Sequence, residues 1–195
     1  MGKLLKFDKE GIAKAAEVVK RGGVIAYPTD TVYGIGCDPK NSEAVDRLFS
    51  IKEREKKPIP ILCDSLGSAA KIVRLNGIAM TLAKKYWPGA LTIVVPMKAE
   101  LPFQIHQGTG TVGVRVPGLE LCIELIHMCG SYLAGTSANK SGKPSCKSAE
   151  EVASELGEEV DVILDGGHLR EIESTVVSFA EGKVVVLRKG SVDVV

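Results

Sequence analysis

The chain has 195 residues, a mass of 20.7 kDa and a formal net charge of +1 at neutral pH. Its 25% charged and 45% hydrophobic residues are typical of a soluble globular protein, and they exclude a disordered chain or a polycationic nucleic-acid binder. The first residues mix charge at short intervals and lack the apolar stretch of a signal peptide or membrane span. Five cysteines without a C-x-x-C pair argue against a disulfide framework and a thiolate zinc site, so we expect a cytoplasmic protein without a membrane partner.

The predicted elements alternate between helix and strand along the chain. Hydrophobic spacing and capping residues predict helices at 11–20, 42–52, after Ser65, after Asn76, at 119–129 and at 149–156. Strands are predicted at 24–27, 59–63, 90–97, 112–116, 132–135, 160–164, 174–179 and 184–187, the last two joined as a hairpin. This order, without a repeat or a long linker, predicts one α/β domain over residues 1–195, with a mixed sheet and flanking helices.

A glycine-rich segment at 108–113 matches the dinucleotide-binding pattern G-x-G-x-x-G letter for letter. That pattern follows a strand and opens a helix, whereas this segment leads into an alternating run that ends at Pro117. The sequence also lacks a Walker loop. We therefore expect any nucleotide to bind without either motif.

Arg115 stands alone in that alternating run. Period-two alternation places Val112, Val114 and Val116 on one face of the strand, and Arg115 on the other with Thr111. No other Lys, Arg, Asp or Glu occurs from residue 101 to 119. Because an unpaired buried charge is costly, Arg115 predicts an anionic partner, either a substrate carboxylate or phosphate or a structural Asp or Glu elsewhere in the chain.

Three polar segments have both a structural and a functional interpretation. Residues 28–34 place hydroxyls, a carboxylate and a phenol at a strand end, where open α/β sheets bind ligands, or they form a simple turn. Residues 52–58 carry four bases and two acids. The bases either bind an anionic ligand or only complement the partial negative charge of a helix C-terminus. Residues 137–145 offer hydroxyls, an amide and glycine to a phosphate, or form a plain loop.

Charge is unevenly distributed in the C-terminal third. Seven acids and no base lie between Glu150 and Asp165, whereas Lys140, Lys143 and Lys147 are the charges between 137 and 149. This pattern predicts an acidic end and a separate basic end of the molecule, or two stretches that are only solvated faces. The three histidines lack metal-ligand spacing and no Ser, His and Asp grouping is identifiable, so we identify neither a metal site nor a covalent nucleophile.

Seven segments in chain order together resemble one known family. They are residues 28–34, Lys52-x-Arg54, residues 87–92, residues 112–117, residues 137–142, residues 173–176 and Leu187-Arg188-x-Gly190. On these motifs the chain resembles the YrdC-like threonylcarbamoyl-adenylate synthase family over nearly its whole length. The resemblance implies a twisted, open mixed sheet with a concave, positively charged cleft.

The resemblance also implies an activity. Members of the family join L-threonine, bicarbonate and ATP, with Mg²⁺ accompanying the ATP, into threonylcarbamoyl-AMP and pyrophosphate. The product is the activated intermediate for threonylcarbamoyl-adenosine in tRNA. The implied enzyme class is nucleotidyltransferase, and tRNA or the downstream threonylcarbamoyl-transfer machinery are the implied macromolecular partners.

The family motifs imply roles for single residues. Those implied to bind threonine are Thr31, Arg115, Gly135 and Ser174. Those implied to bind ATP are Arg54, Lys57, Thr111, Ser137, Asn139, Ser145 and Arg188. Lys52 and Arg54 are implied to stabilise charge on the phosphates, and no protein nucleophile or metal ligand is implied.

Two features set the chain apart from longer relatives. Those relatives carry a histidine in the strand after Lys-x-Arg, which residues 59–63 lack, and a further C-terminal domain, whereas this chain resembles the short form. Two alternatives stay open, a non-catalytic RNA-binding or translation-associated module and an inactive paralogue of the same fold. The low net charge and the nine aromatic residues argue against general nucleic-acid affinity.

Overall fold

The computed structural model describes residues 2–53, 57–170, 172–180 and 183–194, and within these ranges ten strands form one sheet. The strands are β1 (Lys3–Lys6), β2 (Ile25–Pro28), β3 (Tyr33–Cys37), β4 (Ile61–Cys63), β5 (Leu91–Pro96), β6 (Thr111–Arg115), β7 (Tyr132–Ser137), β8 (Val162–Asp165), β9 (Thr175–Ala180) and β10 (Lys183–Arg188). The helices are α1 (Lys9–Lys20), α2 (Ser42–Ile51), α3 (Leu66–Ile72), α4 (Gly77–Tyr86), α5 (Phe103–His106), α6 (Glu120–Met128) and α7 (Ala149–Leu156).

The sheet is mixed and open, as predicted. Its strand order is β1-β8-β2-β3-β7-β4-β6-β5-β9-β10. The pairs β1–β8, β8–β2, β4–β6 and β5–β9 are parallel, and the other neighbours are antiparallel. The expected α/β class with a mixed sheet and flanking helices is therefore confirmed.

Helices cover the two faces of the sheet unequally. On one face, buried residues of α2, α3, α4, α5 and α7 pack against alternate residues of the strands, such as Ile35, Ile61 and Val114. On the other face, α1 and α6 form a smaller core with Ile25, Tyr27 and residues of β7 and β8. The cleft described below lies on that second face, beside these two helices.

Most predicted elements are present, and their caps explain where the helices begin. The side chains of Asn41, Ser65 and Ser148 each accept a backbone N–H of the first turn of α2, α3 and α7. The strand after the glycine-rich segment is β6, and no helix opens there, which confirms that the dinucleotide pattern is coincidental. The residues predicted to turn between β9 and β10 include 181 and 182, which lie outside the described residues.

Three elements were not predicted, namely β1, β3 and the short α5. In β1, the charged residues Lys3 and Lys6 obscure the apolar pattern of a strand, and this strand pairs with β8 at the edge of the sheet. In β3, Gly34 and Gly36 lower the intrinsic strand preference, yet all five residues of the strand are buried between β2 and β7. Pairing with β8 at β1, and burial between β2 and β7 at β3, override local propensity.

The predicted separation of acidic and basic ends is wrong. The ammonium of Lys143 lies 2.9 Å from Glu155, and that of Lys140 lies 2.5 Å from Glu53 and 3.6 Å from Glu159. The loop bases thus neutralise acids of α7 and its surroundings, because the loop folds back onto the helix that follows it. None of the described helices combines the length and apolar character needed to cross a bilayer.

Candidate functional site

A cleft of about 820 Å³ opens on the sheet face that α1 and α6 cover only in part. Its floor is formed by strand residues that alternate with the buried core residues of β4, β5, β6 and β9, among them Leu62, Thr92, Gly113 and Val176. Among the described lining residues, Lys57, Arg115 and Arg188 are basic and Glu173 is acidic. The cleft therefore carries an excess of positive charge over a largely apolar floor.

Arg115 lies in this cleft on the face that alternation predicts. Val112, Val114 and Val116 are buried in the core on the opposite face. The Arg115 side chain is 6% exposed, and its Nη2 donates to Asp30 Oδ1 at 2.5 Å. Its Nε donates to the Gly89 carbonyl at 2.9 Å.

Of the two partners left open for Arg115, the structure shows the internal carboxylate, that of Asp30. Nη1 of Arg115 also donates to Thr31 Oγ1 at 3.2 Å, so the guanidinium is oriented from three directions. A guanidinium has five N–H donors, and these three bonds leave further donors for a ligand. An acid distant in sequence thus neutralises Arg115 in part, and its expected contact with the threonine carboxylate stays a prediction.

The segment 28–34 is a hydrogen-bonded turn that leads from β2 into β3. Thr29 Oγ1 donates to the Val32 carbonyl at 2.7 Å and lies 2.9 Å from Thr31 Oγ1. Thr31 is 2% exposed and lines the cleft. The turn is therefore confirmed, and it fixes the Thr31 hydroxyl at the cleft, where ligand binding stays a prediction.

A second cluster joins the end of β10 to the start of β9. Arg188 donates through Nε and Nη2 to the Ser174 carbonyl, at 3.1 and 2.9 Å, and through Nη1 to Glu173 at 2.6 Å. The Ser174 hydroxyl lies 3.0 Å from Thr92 Oγ1. The second carboxylate oxygen of Glu173 accepts from the Ser145 hydroxyl at 2.6 Å. Glu173 thereby links two residues that the motifs assign to ATP.

Lys52 lies behind the cleft lining and supports the loop after β7. It is 2% exposed, and its ammonium donates to the Ser137 carbonyl at 2.5 Å and to the Asn139 carbonyl at 2.8 Å. Asn139 Oδ1 accepts from the Ser137 hydroxyl at 2.6 Å, and its Nδ2 donates to the carbonyls of Lys140 and Lys143. Lys52 and Asn139 thus hold the shape of the loop, and Lys52 is not among the described residues that line the cleft. Its expected role at the phosphate charge stays a prediction.

The cleft brings most of the predicted site residues together. Those that line it are Thr31, Lys57, Thr111, Arg115, Gly135, Ser137, Ser174 and Arg188. Lys52, Asn139 and Ser145 lie behind this lining and contact residues that belong to it. Arg54 lies outside the described residues.

Sequence reasoning missed the roles of four residues at the cleft. Asp30 and Glu173 stood in recognised motifs, but nothing local showed that each pairs with an arginine. Thr92 is buried beside Ser174, and Tyr27 is buried against the glycines of β3 and β7. The only available signals were an acid near a strand end and a polar residue in an apolar strand.

No group of three or more His, Cys, Asp or Glu side chains among the described residues could hold a metal ion. All five cysteines are free thiols, and burial raises the pKa of the Cys122 thiol above its usual range, so it stays protonated. Among the described residues, the cleft offers guanidinium groups, hydroxyls and backbone groups for binding, and it holds no nucleophile activated by a base. Such a site can position ligands and stabilise charge rather than form a covalent intermediate.

The chain was compared with known protein families and solved structures. Residues 17–190 match the family model Sua5/YciO/YrdC, which is described as telomere recombination. The chain belongs to the Sua5/YciO/YrdC family. This confirms the resemblance inferred from the seven motifs.

Two curated relatives and one solved structure of the Sua5/YciO/YrdC family illustrate the similarity. The threonylcarbamoyl-AMP synthase of Bacillus subtilis is 38% identical over 187 residues, which are 93% of this chain and 54% of that protein. A protein named putative threonylcarbamoyl-AMP synthase from Mycobacterium tuberculosis is 38% identical over 93% of this chain and 85% of its own. Pyrococcus abyssi Sua5 complexed with L-threonine superimposes with a TM-score of 0.90 at 36% identity, over 97% of this chain and 57% of that one.

The chain spans about half the length of the Bacillus and Pyrococcus relatives that it matches. The shared half carries the sheet and the cleft described above, since the match to the Pyrococcus structure covers nearly all of this chain.

Proposed function

We propose that the chain is an L-threonylcarbamoyladenylate synthase, a nucleotidyltransferase that makes threonylcarbamoyl-AMP and pyrophosphate from L-threonine, bicarbonate and ATP. One observation carries the proposal. Eight residues that lie in or beside the motifs, between positions 31 and 188, line a single cleft, in a chain whose relatives bear the name threonylcarbamoyl-AMP synthase. The L-threonine bound to Pyrococcus Sua5 supports an amino-acid ligand.

The proposed reaction has two steps. The amine of threonine attacks the carbon of bicarbonate, forming a carbamate and releasing water. A carbamate oxygen then attacks the α-phosphorus of ATP, and the bond to the β-phosphate oxygen breaks to release pyrophosphate. No enzyme nucleophile is required, which agrees with the absence of an activated one among the described cleft residues.

The residues would divide the work between the two substrates. Arg115 would bind the threonine carboxylate with its remaining donors, held in place by Asp30. Thr31, Gly135 and Ser174 would surround the amino acid. The residues that would bind the nucleotide are Arg54, Lys57, Thr111, Ser137, Asn139, Ser145 and Arg188, with Lys52 holding the loop that presents Ser137.

Magnesium enters this proposal only as a companion of ATP. The described side chains provide no cluster of three ligands for it, so no residue is assigned to it. The product would pass to the machinery that modifies tRNA, and the five free thiols agree with a cytoplasmic location.

The test is pyrophosphate release by the purified chain. Release should require L-threonine, bicarbonate, ATP and a divalent metal together, with the nucleotide product at the AMP level. ATP consumption without an amino acid, or binding of tRNA without any turnover, would contradict the proposal. L-Serine lacks the methyl group, whose contact with an apolar pocket is worth roughly 1–3 kcal/mol, so it should react about 10-fold more slowly or worse.

A further inference from the structure

The hydroxyl of Tyr27 is buried without a hydrogen-bond partner among the described residues. Tyr27 is 0% exposed, and its hydroxyl is the one buried side-chain polar atom of the described chain that lacks a partner. By contrast, the hydroxyls of Tyr33 and Tyr132 donate to the carbonyls of Gly167 and Ser68, at 2.8 and 3.0 Å. Because an unsatisfied buried hydroxyl is costly, this one lowers the stability of the fold.

The sheet accommodates this tyrosine at three glycines. A Cβ on Gly34 would lie 3.3 Å from the Tyr27 ring, and one on Gly36 would lie 3.1 Å from its hydroxyl. A Cβ on Gly135 would lie 2.5 Å from the same hydroxyl, a distance that real Cβ atoms do not show. Glycine weakens a strand, so these three glycines lower the stability of the sheet. Their missing side chains leave the space in which the Tyr27 hydroxyl lies beside the Gly135 backbone.

That position belongs to the cleft. Tyr27, Leu62, Arg115 and Gly135 all line it. The Leu62 side chain lies against the same point, 3.4 Å from the Cβ that Gly135 lacks. A ligand would have to displace this side chain to reach the Tyr27 hydroxyl. Burial raises the pKa of the Tyr27 hydroxyl well above its usual range, although the Arg115 charge opposes this, so the group keeps its proton and can donate.

We propose that Tyr27 is a substrate-binding residue whose hydroxyl donates a hydrogen bond to a carboxylate oxygen of L-threonine bound over Gly135 and beside Arg115. The carboxylate of the ligand would supply the hydrogen-bond acceptor that the Tyr27 hydroxyl lacks among the described residues. This inference rests on the proposed function, since it names one more contact of the same amino-acid site.

The test compares Tyr27→Phe with the wild-type chain and with Tyr132→Phe. Tyr132 loses an internal hydrogen bond in the control, outside the residues that line the cleft. Calorimetry would give the dissociation constant for L-threonine, and thermal melts would give the stability without ligand. Tyr27→Phe should raise the dissociation constant about 10-fold while its melting temperature stays equal or rises, because a hydrogen bond to a charged group is lost only in the complex. Tyr132→Phe should show the opposite pattern, a lower melting temperature with unchanged affinity.

1-Amino-2-propanol, which is threonine without its carboxyl group, identifies the acceptor group. Wild type and Tyr27→Phe should bind it with equal affinity, whereas a persistent difference would overturn the assignment to the carboxylate. An unchanged threonine affinity in Tyr27→Phe, whatever its melting temperature, overturns the proposal and leaves the proposed function intact if the wild type still makes threonylcarbamoyl-AMP. A wild type that neither binds nor consumes threonine overturns the proposed function itself.

Discussion

The guanidinium of Arg115 and the carboxylate of Asp30 form an ion pair 2.5 Å long at the floor of the cleft, with side chains 6% and 16% exposed. The two residues are 85 positions apart and come from β6 and from the turn after β2. The Asp30 carboxylate also leaves little room for a side chain at position 118, since a Cβ on Gly118 would lie 3.0 Å from it. The pair thus has a structural role and at the same time orients the arginine toward the cleft.

Loss of Asp30 should therefore measure the structural part of the pair. Asp30→Asn removes the negative partner of a buried arginine, and breaking such a pair costs about 3–5 kcal/mol, less where the amide keeps one hydrogen bond. Its melting temperature should fall clearly below that of the wild type. Exposed Glu100→Gln, which also removes one negative charge, should melt close to the wild type.

Arg115→Lys should measure the contribution of this arginine to the binding of L-threonine. Lysine keeps the charge but cannot donate in two directions from a plane, so the dissociation constant for L-threonine should rise about 10-fold. The melting temperature should also fall, because the bonds to Gly89 and Thr31 are lost. A destabilised variant with unaltered threonine affinity would show that Arg115 is only structural.

The fold was predictable where local signals dominate. Asn41, Ser65 and Ser148 cap helices at the predicted positions, and alternation places Arg115 on the correct face of β6. The strand β3 was not predictable, because its glycines serve the packing of Tyr27 from a neighbouring strand rather than the propensity of their own segment.

The site was predictable as a set of residues but not as a set of contacts. The motifs indicate which residues meet in the cleft, yet the partner of Arg115 and the loop held by Lys52 each lie 85 positions away. Local periodicity carries no information over such distances. It therefore could not show that the Lys52 ammonium donates to the carbonyls of Ser137 and Asn139.

Arg188→Ala should weaken ATP binding more than threonine binding. Its guanidinium lines the cleft with a side chain 44% exposed, so its charge can reach phosphate. We expect the dissociation constant for ATP to rise about 10-fold at low salt and the ratio to wild type to shrink at high salt, because salt screens exposed charges. Arg54→Ala should behave in the same way if its motif has the implied role.

Lys189→Ala is the matched control for Arg188→Ala. It removes the same charge one residue along the chain, from an exposed side chain outside the cleft lining. Calorimetric titration with ATP should give a value close to the wild type for Lys189→Ala. Equal ATP affinity in all three variants and the wild type would contradict the nucleotide site.

Asp64 should make the stability depend on acid pH. Burial raises the pKa of its carboxyl, but hydrogen bonds from His127 and three serines outweigh burial and lower the pKa from 3.8 to about 2. A depressed pKa means that the ionised carboxylate stabilises the fold above about pH 4, and that this contribution is lost as the pH falls toward 2. Asp64→Asn should melt below the wild type at pH 7 and converge with it near pH 2. A constant difference between the two melting temperatures across that range would contradict this account.

Lys52 offers the sharpest separation between positioning and direct contact with the nucleotide. Lys52→Met keeps the length of the side chain but removes the donor to the carbonyls of Ser137 and Asn139, and an unsatisfied buried carbonyl costs about 1–3 kcal/mol. The melting temperature should therefore drop, whereas exposed Lys71→Met should melt close to the wild type. ATP binding should also weaken, because the loop that presents Ser137 loses its support. Since this loss is one of loop geometry, its ratio to wild type should be the same at low and high salt, unlike that of Arg188→Ala. A loss of ATP affinity that fades with salt, in a variant as stable as the wild type, would instead indicate that the Lys52 ammonium contacts the phosphates.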